Sequence, residues 1–140
     1  MVSVIPRPMR PEEDDAVREL RRACFPGAAL PPPRWYFAHP TLVIEAAHML
    51  VAFTSFTLSP HAKKCYVCYG VDLCVHPDYR RRGYARVLHE ARCEIAKSLG
   101  AVDFVATVKA DNAASKALFV ALGYRRVSVA HGHEFYVGKL

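Results

Sequence analysis

The sequence predicts an α/β domain on a mixed, twisted sheet, and two observations carry that expectation. The apolar stretch ending Val71-Asp72-Leu73-Cys74-Val75 leads through the basic run Arg80-Arg81-Arg82-Gly83-Tyr84-Ala85 into a long amphipathic segment, and a β-branched stretch follows at residues 102–108. Strand, helix and strand in that order make a crossover, which is right-handed with parallel strands almost without exception. The short apolar runs at 41–46 and 49–58, and those at 125–130 and 134–139, read as antiparallel pairs, the second flanking the turn His131-Gly132-His133.

Taken in order, Pro11-Glu12-Glu13-Asp14-Asp15 opens a helix in which Val17, Leu20 and Cys24 share a face. Its acidic start and its Arg21-Arg22 end suit the helix dipole. Pro31 to Pro33 break the chain before the aromatic segment Trp35-Tyr36-Phe37, read as a brief helix or turn that Pro40 ends. That cluster suits either satellite core or the lining of an acceptor pocket. Residues 65–75 form the longer central strand. In the helix after it, Tyr84, Val87, Leu88, Ala91, Ile95 and Leu99 recur at the steps of one buried face, with Arg86 and Glu90 at pairing distance on the polar one. Gly100 is the stop. Asp111 or Asn112 then caps a short helix whose Ala114, Ala117, Leu118, Ala121 and Leu122 are expected to face inward, and Gly123 ends it.

The basic turn is where the chemistry points. Backbone N–H groups at a helix start have no partner within the helix, and the dipole leaves partial positive charge there. Gly83 permits close approach and backbone angles denied to other residues, while three arginines add fixed charge and forked donors. A phosphate group is the natural occupant.

In Arg80-Arg81-Arg82-Gly83-Tyr84-Ala85, preceded by His76-Pro77-Asp78-Tyr79, the chain resembles the GNAT-type N-acetyltransferase superfamily, whose pyrophosphate signature is Arg/Gln-x-x-Gly-x-Gly/Ala. A second match follows in order. Asn112-Ala113-Ala114-Ser115-Lys116-Ala117-Leu118-Phe119 through Gly123-Tyr124 is similar to the later motif Asn-x-x-Ala/Ser-x-x-Leu-Tyr-x-x-x-Gly-Phe. Residues 3–8 open like that family's first strand, so the resemblance covers nearly the whole chain. It implies the acyl-CoA N-acyltransferase fold, a central sheet of about seven strands with helices on both faces.

The resemblance also implies a site. Acetyl-CoA would be the co-substrate: backbone groups of Leu73, Cys74 and Val75 would pair with the pantetheine amides. Arg80 and the backbone of Arg81, Arg82, Gly83, Tyr84, Ala85 and Arg86 would hold the pyrophosphate. Asn112 would reach the thioester region, with Ser115 and Phe119 beside the arm. The acceptor would be a primary amine of a small molecule or of a protein or peptide.

Transfer of acetyl from a thioester to an amine needs an unprotonated amine, a polarised carbonyl and a stabilised leaving thiolate. Here the chain departs from the family. Phe119 stands where a tyrosine is commonly proposed to protonate the thiolate, so a water, Ser115, another tyrosine or unaided departure takes that role. Many relatives carry glutamate six residues before the position of Val75, and here that residue is Tyr69, a poor base near neutrality. Asp72 is the nearest carboxylate, and on a regular strand it faces opposite to Tyr69, so only a bulge would aim both at one site. Its other reading is an aspartate bonded to backbone or arginine. Tyr69, Asp72 and Asn112 are thus the candidate catalytic residues, with Glu45, His48, His76, His131 and Glu134 as further bases acting through water. A non-catalytic acyl-CoA-binding sensor of the same fold is the alternative that Phe119 and Tyr69 favour.

Composition sets independent bounds. At 140 residues and 52% hydrophobic content, a single domain spanning residues 1–140 is expected, with no repeat. No run approaches the ~20 apolar residues needed to cross a bilayer, and Met1 to Arg10 lacks a signal peptide's apolar middle, which suggests a cytoplasmic protein away from membranes. Five cysteines without a secretory signal suggest reduced thiols. Cys65 and Cys68 lie three apart on a strand and point to opposite faces, and no second pair lies at suitable spacing, so no metal is expected. The net charge of +6 raises the alternative of a nucleic-acid-binding module. The positive charge peaks at Arg80, Arg81, Arg82 and Arg86 and not over a broad face interleaved with aromatics, which argues against nucleic acid as a partner. The open sheet edges and the apolar strand Phe135-Tyr136-Val137 offer a surface for a possible homodimer.

Overall fold

The computed structural model describes residues 4–61 and 65–140. Seven strands form one sheet: β1 (Arg7–Pro8), β2 (Thr41–Ala46), β3 (Met49–His61), β4 (Cys65–Val75), β5 (Ala101–Lys109), β6 (Arg125–Ala130) and β7 (His133–Lys139). Their spatial order is β1-β2-β3-β4-β5-β7-β6. Among the described residues four α-helices accompany them, α1 (Asp14–Cys24), α2 (Trp35–Ala38), α3 (Tyr84–Ser98) and α4 (Ala113–Ala121). The crossover from β4 through α3 to β5 is parallel, with Tyr66 to Tyr69 in register with Ala101 to Val105, while the β1/β2, β2/β3, β5/β7 and β6/β7 pairs are antiparallel.

Two compact units can be distinguished: the chain up to Phe56 with Asp72–Arg92, and Thr57–Val71 with Cys93–Leu140. In the first, alternation along β2 sends Val43 to one face and Leu42 and Ile44 to the other. Val43 meets Val17 and Leu20 of α1, Tyr36 of α2, Phe53 and Cys74 in one cluster. Leu42 and Ile44 meet Val51, Ala52 and Leu88 of α3 in another. Helices therefore cover both faces of the strands. The turn between β2 and β3 places Ala47 and His48 both at positive φ, the twist that a tight hairpin needs.

In the second unit, Phe104, Ala106 and Val108 of β5 are buried at alternate positions, as are Glu134, Tyr136 and Gly138 of β7. A side chain at Gly138 would place its Cβ 2.3 Å from the Tyr124 ring, so glycine is what lets that ring lie against the strand. Phe119 stacks on Tyr124 and on Tyr136, at 5.4 and 6.3 Å between centroids.

Several expectations are corrected. The first strand is only Arg7–Pro8, because Pro6 and Pro8 lack the N–H groups a ladder needs; Ser3, its expected start, lies outside the described residues. A 3-10 turn, Pro11–Glu13, precedes α1. On α3 the buried face is rotated: Leu88, His89, Arg92 and Ala96 are inside, while Ile95 and Leu99 are 37% and 51% exposed. On α4, Phe119 is the buried residue and Ala114, Ala117 and Ala121 are exposed. The larger ring outcompetes small alanines for the inward position. Finally, β7 is paired on both sides, so the free edge at that end of the sheet is β6, every residue of which is exposed.

Candidate functional site

The end of β4 is bent by a residue in the left-handed region, Asp72 at φ 52°. Non-glycine residues seldom adopt this conformation, and it persists only when the surroundings fix it. Here they do. The Asp72 carbonyl accepts from Thr54 Oγ1 at 2.6 Å and from the Arg92 guanidinium at 3.3 Å. Its carboxylate Oδ2 accepts from Arg21 Nε at 3.0 Å and from the Tyr36 hydroxyl at 2.5 Å. Burial first, and then this bond to Asp72, push the Tyr36 hydroxyl far above the usual tyrosine range, so it stays protonated and donating. Asp72 is thus bonded to arginine, the second of its two readings.

Arg92 is held in the core by bonds from two of its nitrogens. Nε donates to His89 Nδ1 at 3.0 Å, and Nη1 reaches Thr54 Oγ1 at 2.6 Å and the Ser55 carbonyl at 3.2 Å. Burial, reinforced by the neighbouring Arg92 charge, lowers His89 to about 3, so its Nδ1 is a bare acceptor at neutral pH. Arg21, Thr54, His89 and Arg92 were missed by sequence reasoning in this role, whereas Tyr36 belongs to the aromatic cluster expected as satellite core or pocket lining and is buried in the core. The one available signal was spacing: 88, 92 and 96 form an i, i+4 row of buried positions.

Beyond Asp72, Leu73, Cys74 and Val75 run to a loop whose first residue, His76, donates its N–H to the Val51 carbonyl at 2.7 Å. A short turn, Pro77–Tyr79, follows, capped by His76 Nδ1 accepting from the Asp78 N–H at 3.1 Å. Arg80 Nε donates back to the Val75 carbonyl at 3.1 Å, tying the loop to the strand end. The Arg82 guanidinium lies 4.8 Å over the Tyr79 ring. Arg81 and Gly83 both have positive φ, and α3 begins at Tyr84. Arg80, Arg81, Arg82 and Gly83 are exposed, and nothing lies within 4 Å of where a Gly83 side chain would begin. Exposed guanidinium groups, a helix start and open space at Gly83 fit a pyrophosphate. Arg86 is turned along the helix, bonded to Glu90 Oε1 at 2.9 Å as its spacing predicts.

The first unit also holds a cleft of about 530 Å³ between α1 and the β2–β3 hairpin, which gathers three candidate bases, Glu45, His48 and His76. Glu13, on its wall, is occupied by Arg7, whose bidentate bonds of 2.8 and 2.7 Å hold the carboxyl down at about 2.

In the second unit, Asn112 caps α4, its side-chain oxygen accepting from the Ser115 N–H at 3.2 Å. Glu134, another candidate base, is lowered to about 2 by Lys116, 2.9 Å away, then by the Tyr136 hydroxyl at 2.9 Å and Arg126 at 3.3 Å. These three partners hold both of its carboxylate oxygens. Tyr69 is 40% exposed on β4. The Tyr124 hydroxyl lies 3.7 Å from Cys93 Sγ. Among the described residues no cluster of three metal-ligating side chains occurs, and no helix is long and apolar enough to cross a membrane.

Comparison with known proteins gives this arrangement a family. Over 70 residues the chain is 34% identical to the ribosomal protein bS18-alanine N-acetyltransferase of Salmonella typhimurium. That match covers 45% of the chain and spans about half, 47%, of the relative. A Salmonella typhimurium structure with acetyl-CoA as cofactor superposes with a TM-score of 0.79 at 21% identity, covering 99% of this chain and 94% of that one. The PaiA N-acetyltransferase of Thermoplasma acidophilum in complex with coenzyme A gives 0.78 at 15% identity, covering 99% and 100%. These likenesses establish the fold. The family model for acetyltransferases of the GNAT type matches residues 14–124, from the start of α1 past the end of α4, and the chain belongs to that family.

Proposed function

We propose that this protein is an acetyl-CoA-dependent N-acetyltransferase that moves the acetyl group to a primary amine. The observation that carries the reading is the Arg80 to Gly83 loop. It sets three exposed guanidinium groups and a glycine with open space around it at the start of a 15-residue helix, directly after the strand end that Arg80 ties down. The loop and the helix start bind the pyrophosphate. The backbone of Leu73, Cys74 and Val75, which follows the left-handed residue Asp72, orients the pantetheine arm.

The chain's own residues contribute chiefly position. Orienting a thioester against an amine supplies much of the rate enhancement, because the bimolecular step becomes effectively unimolecular. Tyr69, being exposed, can reach an amine through water, whereas Asp72 Oδ2 already accepts hydrogen bonds from Arg21 and Tyr36. Phe119 cannot protonate the leaving thiolate. The thiol of coenzyme A is acidic enough to depart without it.

The acceptor class follows from the named relative. An alanine of ribosomal protein bS18 is what that enzyme's name gives as its substrate. A peptide amino terminus is accordingly the first amine to offer. Thiol release from acetyl-CoA should depend on such a peptide or on a small primary amine. Tight acetyl-CoA binding without release on any amine would favour the non-catalytic sensor.

A further inference from the structure

Two of the five thiols stand apart from the rest. Cys24, the last residue of α1, is half-buried, and its Sγ donates to the Val75 carbonyl at 3.3 Å. That same carbonyl accepts from Arg80 Nε at 3.1 Å, so the cysteine sulfur and the guanidinium share one acceptor. Cys24 also packs against the core cluster that contains Cys74, which is 1% exposed on β4, one residue before Val75. A thiol within reach of a second thiol and of a guanidinium is where oxidation is site-selective.

We propose that Cys24 and Cys74 form a reversible dithiol/disulfide site on the strand that leads into the pyrophosphate loop, with peroxide as the oxidant. The Cys24 thiolate attacks one peroxide oxygen: an S–O bond forms, the O–O bond breaks, and hydroxide leaves to be protonated to water. Sulfur is oxidised and peroxide reduced. The Cys74 sulfur then attacks the sulfenic sulfur, forming S–S and breaking S–O. The departing hydroxide takes the Cys74 proton as a second water. Two thiols and one peroxide thus give one disulfide and two waters.

The order of roles follows from the surroundings. Cys24 has the solvent access and the cation, and the neighbouring Cys74 thiol, opposed by burial and supported by Arg80, brings its thiol down to about 7. Burial, and then the neighbouring Cys24, raise Cys74, which suits it to remain a thiol until the sulfenic acid forms. Cys24 ends its helix, and Phe25 beyond it has left helical geometry, so closing the bond moves a helix terminus and not its middle. The bond would draw α1 onto β4 and disturb the Val75 carbonyl that positions Arg80. On the acetyl-CoA reading above, on which this last consequence rests, oxidation weakens cofactor binding.

The test treats the full-length reduced protein with stoichiometric hydrogen peroxide, blocks remaining thiols by alkylation and maps peptides by mass. A Cys24–Cys74 linked peptide, lighter by two hydrogens and lost on adding dithiothreitol, is expected; it should be absent from Cys24→Ser. Undiminished alkylation of Cys24 and Cys74 after peroxide, or cross-links confined to Cys65, Cys68 or Cys93, would overturn the site. This readout does not involve the cofactor. In parallel, acetyl-CoA is titrated into reduced and oxidised protein, with affinity expected to fall at least about tenfold on oxidation and to return on reduction. Equal affinity in both forms would overturn the regulatory consequence. Failure of the reduced protein to bind would overturn the acetyl-CoA reading and that consequence together, while the linked peptide stands or falls by itself.

Discussion

Arg92 Nη1 donates to the carbonyl of Asp72 at 3.3 Å, linking a buried guanidinium on α3 to the one β4 residue with left-handed backbone geometry. The same nitrogen bonds Thr54 Oγ1, which itself donates to the Asp72 carbonyl, so three groups close on one oxygen-centred brace. Replacing Arg92 by methionine keeps much of the apolar stem and leaves the Asp72 and Ser55 carbonyls and His89 Nδ1 short of a donor. The expected loss is about 3 kcal/mol, read as a lower urea midpoint with unchanged slope. A loss below about 0.5 kcal/mol would mean that the brace does not hold Asp72 in its left-handed geometry.

Gly83 gives the sharpest local prediction. Its φ of 81° disfavours any side chain, yet open space surrounds it, so Gly83→Trp should leave the fold intact while filling the room a pyrophosphate would use. Acetyl-CoA affinity should drop more than about tenfold, with circular dichroism and thermal midpoint little changed. Arg82→Ala should weaken binding by only part of that, since the loop backbone and the other arginines remain. Unchanged affinity in Gly83→Trp would move the cofactor away from this loop.

Acid sensitivity should come in two windows. His89 is lowered from 6.5 to about 3 in the fold, so the unfolded chain takes up its proton first, and stability is lost as pH falls below 6.5 toward 3. Glu134 is lowered from 4.5 to about 2, so its contribution is complete above 4.5 and disappears as pH falls toward 2. Denaturation midpoints measured across pH should show both slopes. Glu134→Gln should flatten the lower window and leave the upper one; an identical acid profile in that variant would contradict the Lys116 pairing.

Phe119 is 3% exposed and stacked on Tyr124 and Tyr136. Phe119→Ala should therefore cost about 3–5 kcal/mol, measured by chemical denaturation. A cost near zero would place that ring outside the core.

Much of this arrangement was legible in the sequence because it is local. The strand, basic turn and helix from residue 65 to 98, the Asn112 cap on Ser115, the Arg86 and Glu90 pair and the glycine-ended helices all depend on residues within a few positions of one another. What escaped is set by distance or by polarity. Arg21 meets Asp72, and Cys24 meets Val75, each 51 residues along the chain, and no local pattern announces such a meeting. The buried face of α3 was misplaced by one residue because hydropathy sorts arginine and histidine outward, whereas here Arg92 and His89 satisfy one another inside. Ile95 and Leu99 are left at the surface in consequence. On α4, alanine spacing masked the larger claim of Phe119 to the interior.

Calorimetric titration of the purified, reduced protein with acetyl-CoA tests the central claim most directly. The loop from Arg80 to Gly83 predicts saturable binding in the micromolar range that Gly83→Trp abolishes and that free coenzyme A competes for. No binding heat at any temperature tried, with the protein folded, would contradict the assignment of that loop as the pyrophosphate site.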